Sequence, residues 1–157
     1  MKDLISNTRT VVLHNCAATA SGSNRVCTEG DVGNARNGLL IIAADFAASS
    51  DINNICLGVS NTSALVSAGT AYPASDLADI VSDAQNTVDS TGSDVTIASN
   101  TIATLDEDGI FVFHVANLKR YVNLQYDGDG SGSKFTAVLV ATDLVDAPYA
   151  AARTAYT

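Results

Sequence analysis

The fold is decided by residues 110–142, where three apolar segments follow one another: Ile110–Leu118 (IFVFHVANL), Arg120–Tyr126 (RYVNLQY) and Lys134–Thr142 (KFTAVLVAT). Each is rich in β-branched and aromatic residues, and polar turn residues separate them, which is typical of β-strands. Polar and apolar side chains alternate in the middle segment, so one face is predicted to join the core. The apolar set is Val122, Leu124 and Tyr126, and the polar set is Tyr121, Asn123 and Gln125. We therefore predict an antiparallel meander of three strands.

Three further strands are predicted upstream, at Thr10–Ala17 (TVVLHNCA), Gly38–Phe46 (GLLIIAADF) and Asp51–Ser60 (DINNICLGVS). The run from Gly38 has no alternation, which indicates a strand covered on both faces or an inner strand of a sandwich. The next strand places Ile55, Leu57 and Val59 on one face, and we expect it to pair with its predecessor. Short strands are also expected at 93–98 and 101–105.

Between these strands, residues 61–93 show a different pattern. Apolar residues recur at helical spacing at Leu77, Ile80, Val81, Ala84 and Val88. Pro73 precedes them, and Ser75 stands where an N-cap would be. The pattern predicts one helix of about three turns.

The composition agrees with a mainly β protein. The chain has 157 residues, enough for one domain, and 15 of its 17 acidic residues are Asp, which favours turns and caps over helices. We predict an antiparallel β-sandwich or jelly roll with one short helix. The sandwich domain is expected at residues 1–147, followed by an extended C-terminal arm at 148–157.

The net charge of −9 argues against two classes of partner. Nucleic acids and anionic membranes both need clustered Lys and Arg, and the sequence shows no such cluster. No apolar segment follows Met1-Lys2-Asp3, and the longest apolar stretch is much shorter than the ~20 residues of a membrane helix. The sequence therefore predicts a soluble protein that is made in the cytoplasm and binds neither nucleic acid nor membrane.

The three cysteines, Cys16, Cys27 and Cys56, are irregularly spaced. This spacing favours reduced, buried thiols over a disulfide framework. A zinc site that includes His14 is an alternative, but it lacks a Cys-x-x-Cys pair. The sequence also holds none of the common catalytic motifs, and His14 and His114 both lie in apolar strands, where a hydrogen-bonded structural histidine is the usual role. We predict that the protein is not an enzyme.

One loop resembles the start of a calcium site. Residues 127–132 (DGDGSG) place Asp127, Asp129 and Ser131 at the first three ligand positions, followed by glycine. The position of the bidentate Glu is occupied by Val138, and the flanking segments are strands. We therefore predict no cofactor, and keep Asp127, Asp129 and Ser131 only as a weak metal candidate.

Residues Asp106–Val122 (DEDGIFVFHVANLKRYV) combine an acidic turn, a Gly-aromatic strand and Lys-Arg-Tyr-Val at the start of the next strand. This arrangement resembles the head decoration, or cement, proteins of tailed bacteriophages, of jelly-roll type. The similarity extends more loosely to LLIIAADF and to the Pro-containing end of the chain, and it covers about half of the sequence.

The resemblance implies a non-enzymatic protein of the virion, located on the capsid surface, that binds the major capsid protein as a dimer or trimer and stabilises the shell. Arg and Tyr dominate protein interfaces, so interface anchors are expected at the strand opening and on the C-terminal arm. The expected anchors are Lys119, Arg120, Tyr121, Tyr149, Arg153 and Tyr156.

Two other functions remain open at this point. The first is a calcium-assisted β-sandwich that binds carbohydrate or a receptor, although the chain has no tryptophan and only 6% aromatic residues. The second is a small hydrolase or isomerase that uses His114. Stabilisation by calcium would favour the first, and turnover abolished by His114→Ala would favour the second.

Overall fold

The computed structural model describes residues 8–19, 21–46, 51–63, 65–83, 95–130, 132 and 134–142, and it shows a β-sandwich of jelly-roll type. Two antiparallel sheets pack against each other around one hydrophobic core. The mainly β fold predicted from composition and alternation is confirmed. The predicted arm at 148–157 lies outside the described residues, as do Tyr149, Arg153 and Tyr156.

We call the two sheets A and B. Sheet A has the strand order β1-β11-β4-β9-β6, with β1 (Arg9–Ala18), β11 (Lys134–Thr142), β4 (Asn37–Asp45), β9 (Gly109–Ala116) and β6 (Asp79–Asp83). Sheet B has the order β2-β10-β5-β8-β7, with β2 (Gly22–Val26), β10 (Tyr121–Gly128), β5 (Ile52–Ser60), β8 (Thr101–Leu105) and β7 (Ile97–Ala98). The short β3 (Gly30–Asp31) also pairs with β10.

The core lies between the inner faces of the two sheets. The inward positions of both sheets are fully buried, at Leu13, Leu40, Phe113 and Phe135 in sheet A and at Ile55, Leu57, Ile102 and Leu124 in sheet B. Each such side chain contributes about 1.5–3 kcal/mol when it is removed from water. The inward sets predicted for the strands at 51–60 and 120–126 are confirmed, since Ile55, Leu57 and Val59 are buried, as are Val122, Leu124 and Tyr126.

The predicted meander is wrong. β9 and β11 lie in sheet A on either side of β4, whereas β10 lies in sheet B between β2 and β5. The two connections therefore cross from one sheet to the other. Alternation determines which face of a strand is buried, but not which strand lies beside it, so a hairpin and an arch between sheets give the same sequence pattern.

The predicted pairing of the strands at 38–46 and 51–60 is wrong for the same reason, because β4 and β5 belong to opposite sheets. Of the two interpretations of the apolar run, the inner strand of a sandwich is confirmed. β4 is the central strand of sheet A, with Leu40 and Ile42 fully buried. Leu39 and Ile41, which face outward, are partly exposed.

The predicted helix is also wrong over the part that the structure describes. Only Ala74–Asp76 forms a single 3-10 turn, and Ser75 lies within it. Leu77 then bridges to Gly58, and β6 pairs with β9. Leu77 and Ile80 have the helical spacing i, i+3, but their partners are backbone groups of two sheets. The rest of the predicted helix, at 84–88, lies outside the described residues.

Residues 65–78 form a segment that covers the outer face of sheet B, and we call it the cover segment. The Tyr72 ring lies directly over Gly58, and its backbone N–H donates to Gln125 Oε1 at 3.4 Å. Gln125 Nε2 donates to the Thr70 carbonyl at 2.9 Å, and the Tyr72 hydroxyl donates to Asn123 Oδ1 at 3.4 Å. Asn123 and Gln125 on the polar face of β10 are therefore buried and hydrogen-bonded rather than open to water.

Candidate interaction surfaces

A small cationic cleft lies at one end of the sandwich, beside the start of β10. Its volume is about 50 Å³. It is lined by Gly33, Asn34, Ala35, Arg36, Asn61, Lys119 and Arg120. Arg9 reaches the same end from β1, since its guanidinium lies close to Gly33. Four of the eight Lys and Arg residues of an acidic chain therefore meet in one place.

Two carboxylates hold this cleft in shape. Asp31 in β3 accepts from Arg120 Nε at 3.4 Å and Nη2 at 3.3 Å, and it forms a longer pair with Arg9 at 3.8 Å. Lys119 Nζ pairs with Asp76 at 3.5 Å. All these groups are at least one-third exposed except Lys119, at 32%, so each pair contributes little to stability and mainly orients the cations.

The structure thus brings together the three described anchors of the sequence prediction. Lys119 and Arg120 line the cleft, and the Arg120 guanidinium carbon lies 5.1 Å from the centre of the Tyr121 ring in a cation–π contact. Arg9 and Arg36 were missed, because nothing local in the sequence shows that residues so far apart share one end of the sandwich.

The contribution of Asp31 to the stability of the fold depends on pH. Its pKa lies below the usual 3.8, chiefly because it accepts a hydrogen bond from the Gly33 backbone N–H at 2.8 Å, and also because of Arg120 and Arg9. A lowered pKa means that the folded state favours the carboxylate. The stabilisation from this group is therefore fully present above about pH 4 and is lost as the pH falls through the lower, folded-state pKa.

We expect Asp31→Asn to lower the melting temperature slightly at about pH 6 and to have a progressively smaller effect below about pH 4. Thermal unfolding followed by circular dichroism over this pH range measures the difference between variant and wild type. Asp106→Asn removes the same charge from an exposed turn and serves as the control. A difference between wild type and Asp31→Asn that grows toward acid would contradict the assigned role.

The candidate calcium loop shows a different use of its first carboxylate. Asp127 Oδ1 accepts from the Asn24 backbone N–H at 2.6 Å, and Oδ2 accepts from Asn54 Nδ2 at 2.7 Å. Asp127 therefore ties β10 to both neighbouring strands, and a cation would have to displace these donors. Asp129 is exposed, and Ser131 lies outside the described residues. The loop stays the weak metal candidate that the sequence indicated.

The thiols and histidines occupy separate environments. Cys27 and Cys56 are free, and burial raises the pKa of Cys27 to about 12 and that of Cys56 to about 11. The side chain of Cys16 is outside the description. Within the described ranges, no three His, Cys, Asp or Glu side chains come close enough to share a metal ion.

The structural role predicted for histidine is confirmed for His14. Its ring stacks on Phe135 with centroids 3.9 Å apart, and Nδ1 donates to the Phe135 carbonyl at 2.8 Å. His114 differs, because it is exposed on the outer face of β9.

A second surface is the outer face of sheet A, formed by outward positions of β1, β11, β4 and β9. Its members are almost all apolar or Thr: Thr10, Val12, Leu39, Ile41, Ala43, Ile110, Val112, His114, Thr136, Val138 and Val140. Val12 is 51% exposed and Ile110 is 66% exposed, whereas Val112 is buried, at 7%. In the sequence, this face corresponds to the missing alternation in residues 39–43 (LLIIA), a pattern that by itself indicates only that the strand is buried.

Comparison with known proteins does not assign this geometry: no protein-family model matches the chain, and neither does any curated protein or solved structure. None of the helices in the described part of the chain has the length and hydropathy to cross a membrane.

Proposed function

We propose that this chain is a structural virion protein that binds the outside of a bacteriophage capsid and stabilises the shell without enzymatic activity. The observation that carries the proposal is the cationic cleft. It concentrates Arg9, Arg36, Lys119 and Arg120 at one end of a chain with a net charge of −9.

The cleft coincides with the segment that resembles the decoration proteins. Lys119, Arg120 and Tyr121 stand at the opening of β10, and Arg and Tyr are the residue types that most often anchor protein interfaces. Their orientation is set before binding, because Asp31 and Asp76 hold the two cations. Preorganised anchors lose less side-chain entropy on binding, which favours affinity.

The chemistry of the cleft indicates an acidic partner surface. The rest of this chain repels carboxylates, so an acidic patch on the capsid protein is steered toward the cationic end and approaches in one orientation. Each contact is weak in salt solution, but a capsid offers many equivalent sites. The expected binding is therefore saturable and weakened by salt.

The test is co-sedimentation with empty shells assembled from the major capsid protein of the same phage. We expect saturable binding of the wild-type chain and a higher temperature of shell disruption when the chain is bound. Charge reversal at the cleft, by Arg36→Glu or Arg120→Glu, is expected to weaken binding about 10- to 100-fold at low salt.

Arg25→Glu is the matched control. Arg25 in β2 lies opposite Tyr126 in the strand register, near the far end of β10. Its substitution therefore makes the same charge change away from the cleft. Shells that do not bind the wild-type chain would refute the proposed function. Wild-type binding that neither cleft variant weakens would leave the capsid role standing and remove the cleft from it.

A further inference from the structure

We propose that the outer face of sheet A is a homodimer interface, in which a second copy of this chain packs against it sheet to sheet. The inference comes from the register and charge of this face and does not depend on the capsid proposal.

Strand register arranges the face in apolar rows. Val12 lies opposite Val138, Val138 opposite Ile41, and Ile41 opposite Val112, so four β-branched side chains form one row across four strands. A second row runs through Thr10, Val140, Leu39 and His114. Rows of this kind form the inner faces of β-sandwiches, where two sheets pack about 10 Å apart.

The distribution of charge favours a second copy over an acidic partner. Between its two ends, the outer face of β1, β11, β4 and β9 carries no carboxylate and no Lys or Arg at the outward positions that the structure describes, although the chain has 17 acidic residues. Asp45 and Lys134 are the charged outward positions of β4 and β11, and they lie opposite each other at one end of the face. An uncharged face offers no complement to a charged partner, but it matches an identical uncharged face and keeps the carboxylates of both copies away from the contact.

The size of the face is sufficient for a specific dimer. Four strands spaced about 4.8 Å apart, each contributing about eight residues at 3.4 Å, give a face on the order of 500 Å². Two such faces in contact bury on the order of 1,000 Å², which is the lower end for a specific interface. The half-exposed Val12 and the more exposed Ile110 mark opposite sides of this area and would be covered.

Salt separates this interface from the capsid contact. Two copies that each carry −9 repel each other, and salt screens this repulsion. Dimerisation is therefore expected to strengthen with salt, whereas binding through the cationic cleft is expected to weaken. A failure of one proposal is thus distinguishable from a failure of the other.

The test is sedimentation equilibrium of the full chain at about 10–200 µM, in about 50 mM and 500 mM NaCl. We expect a reversible dimer that is tighter at the higher salt concentration. Val12→Lys and Ile110→Lys, made separately, place an unpaired cation on two different strands of the face, and each is expected to weaken the dimer about 100-fold.

Ser23→Lys adds the same charge to an exposed position of sheet B, and it is expected to leave the dimer intact. Circular dichroism checks that all three variants remain folded. A wild-type chain that stays monomeric at both salt concentrations would overturn the proposal, and so would a dimer that resists both face variants. In the monomer case, hydroxyl-radical footprinting with and without residues 143–157 shows whether the chain's own C-terminal residues cover the face.

Discussion

Replacing Phe113 with alanine is expected to lower the free energy of unfolding by about 3–5 kcal/mol. Phe113 is fully buried at the centre of sheet A, where it lies opposite Leu40 in the register of β4 and β9. Removing its ring leaves a cavity between two sheets whose backbones are fixed by hydrogen bonds on both sides, so the site collapses only partly. Since a domain of this size has about 5–15 kcal/mol of stability, the loss is a large fraction of the total.

Chemical denaturation at low protein concentration measures this effect. Ile110→Ala is the matched control, because Ile110 lies on the same strand but points outward and is 66% exposed. We expect the control to change the free energy of unfolding by less than about 1 kcal/mol. If Phe113→Ala cost no more than the control, the ring would not occupy the centre of the core.

The second large effect is expected where the cover segment meets sheet B. A Cβ atom at Gly58 would overlap the Cζ and Cε atoms of the Tyr72 ring, so Gly58→Ala must push the ring off the sheet. We expect a cost of about 1–3 kcal/mol. Moving Tyr72 also separates its hydroxyl from the side chain of Asn123 and its backbone N–H from the side chain of Gln125. Asn123 and Gln125 are both buried.

A double-mutant cycle with Tyr72→Ala isolates this contact. Once the ring is gone, Gly58→Ala is expected to be neutral or to stabilise by up to about 1 kcal/mol, because alanine restricts the unfolded chain more than glycine does. The coupling between the two positions is then on the order of 1–3 kcal/mol. Additive effects would show that Tyr72 does not lie on Gly58.

Prediction from the sequence worked for the faces of strands and failed for their neighbours. The inward position of Val122, Leu124 and Tyr126 follows from local alternation, and the structure confirms it. The placement of β10 in the sheet opposite to β9 and β11 depends on which distant strands lie beside it, and alternation carries no information on this. The same limit explains the error in pairing β4 with β5.

The predicted helix failed because spacing alone did not separate two structures. Leu77 and Ile80 fit a helical period, yet Ala78 and Ile80 also alternate as buried positions of an extended chain that passes from sheet B to sheet A. The Ala78 N–H donates to the Leu57 carbonyl at 2.8 Å, and this tertiary hydrogen bond replaces the helical one.

The candidate site could be predicted in part. Lys119, Arg120 and Tyr121 follow from a local segment, but Arg9 and Arg36 join the cleft only because the start of β1 and the loop before β4 lie beside the start of β10. The outer face of sheet A leaves a trace in the sequence, because both the odd and the even positions of β4 are apolar. A strand that is buried on both faces gives the same pattern, so the sequence alone does not distinguish the two cases.

The position of β11 in sheet A determines when the protein can fold during synthesis. β11 lies between β1 and β4, and Arg9 pairs with Ala141, so β1 is joined to the sheet by a strand that is synthesised more than 100 residues later. At about 5–20 residues per second, β1 waits on the order of ten seconds for its partner. Meanwhile the apolar edge of β4 that β11 will occupy stays open to other chains. Sheet A is therefore completed only after translation has passed residue 142, and until then its long-range pairing cannot form.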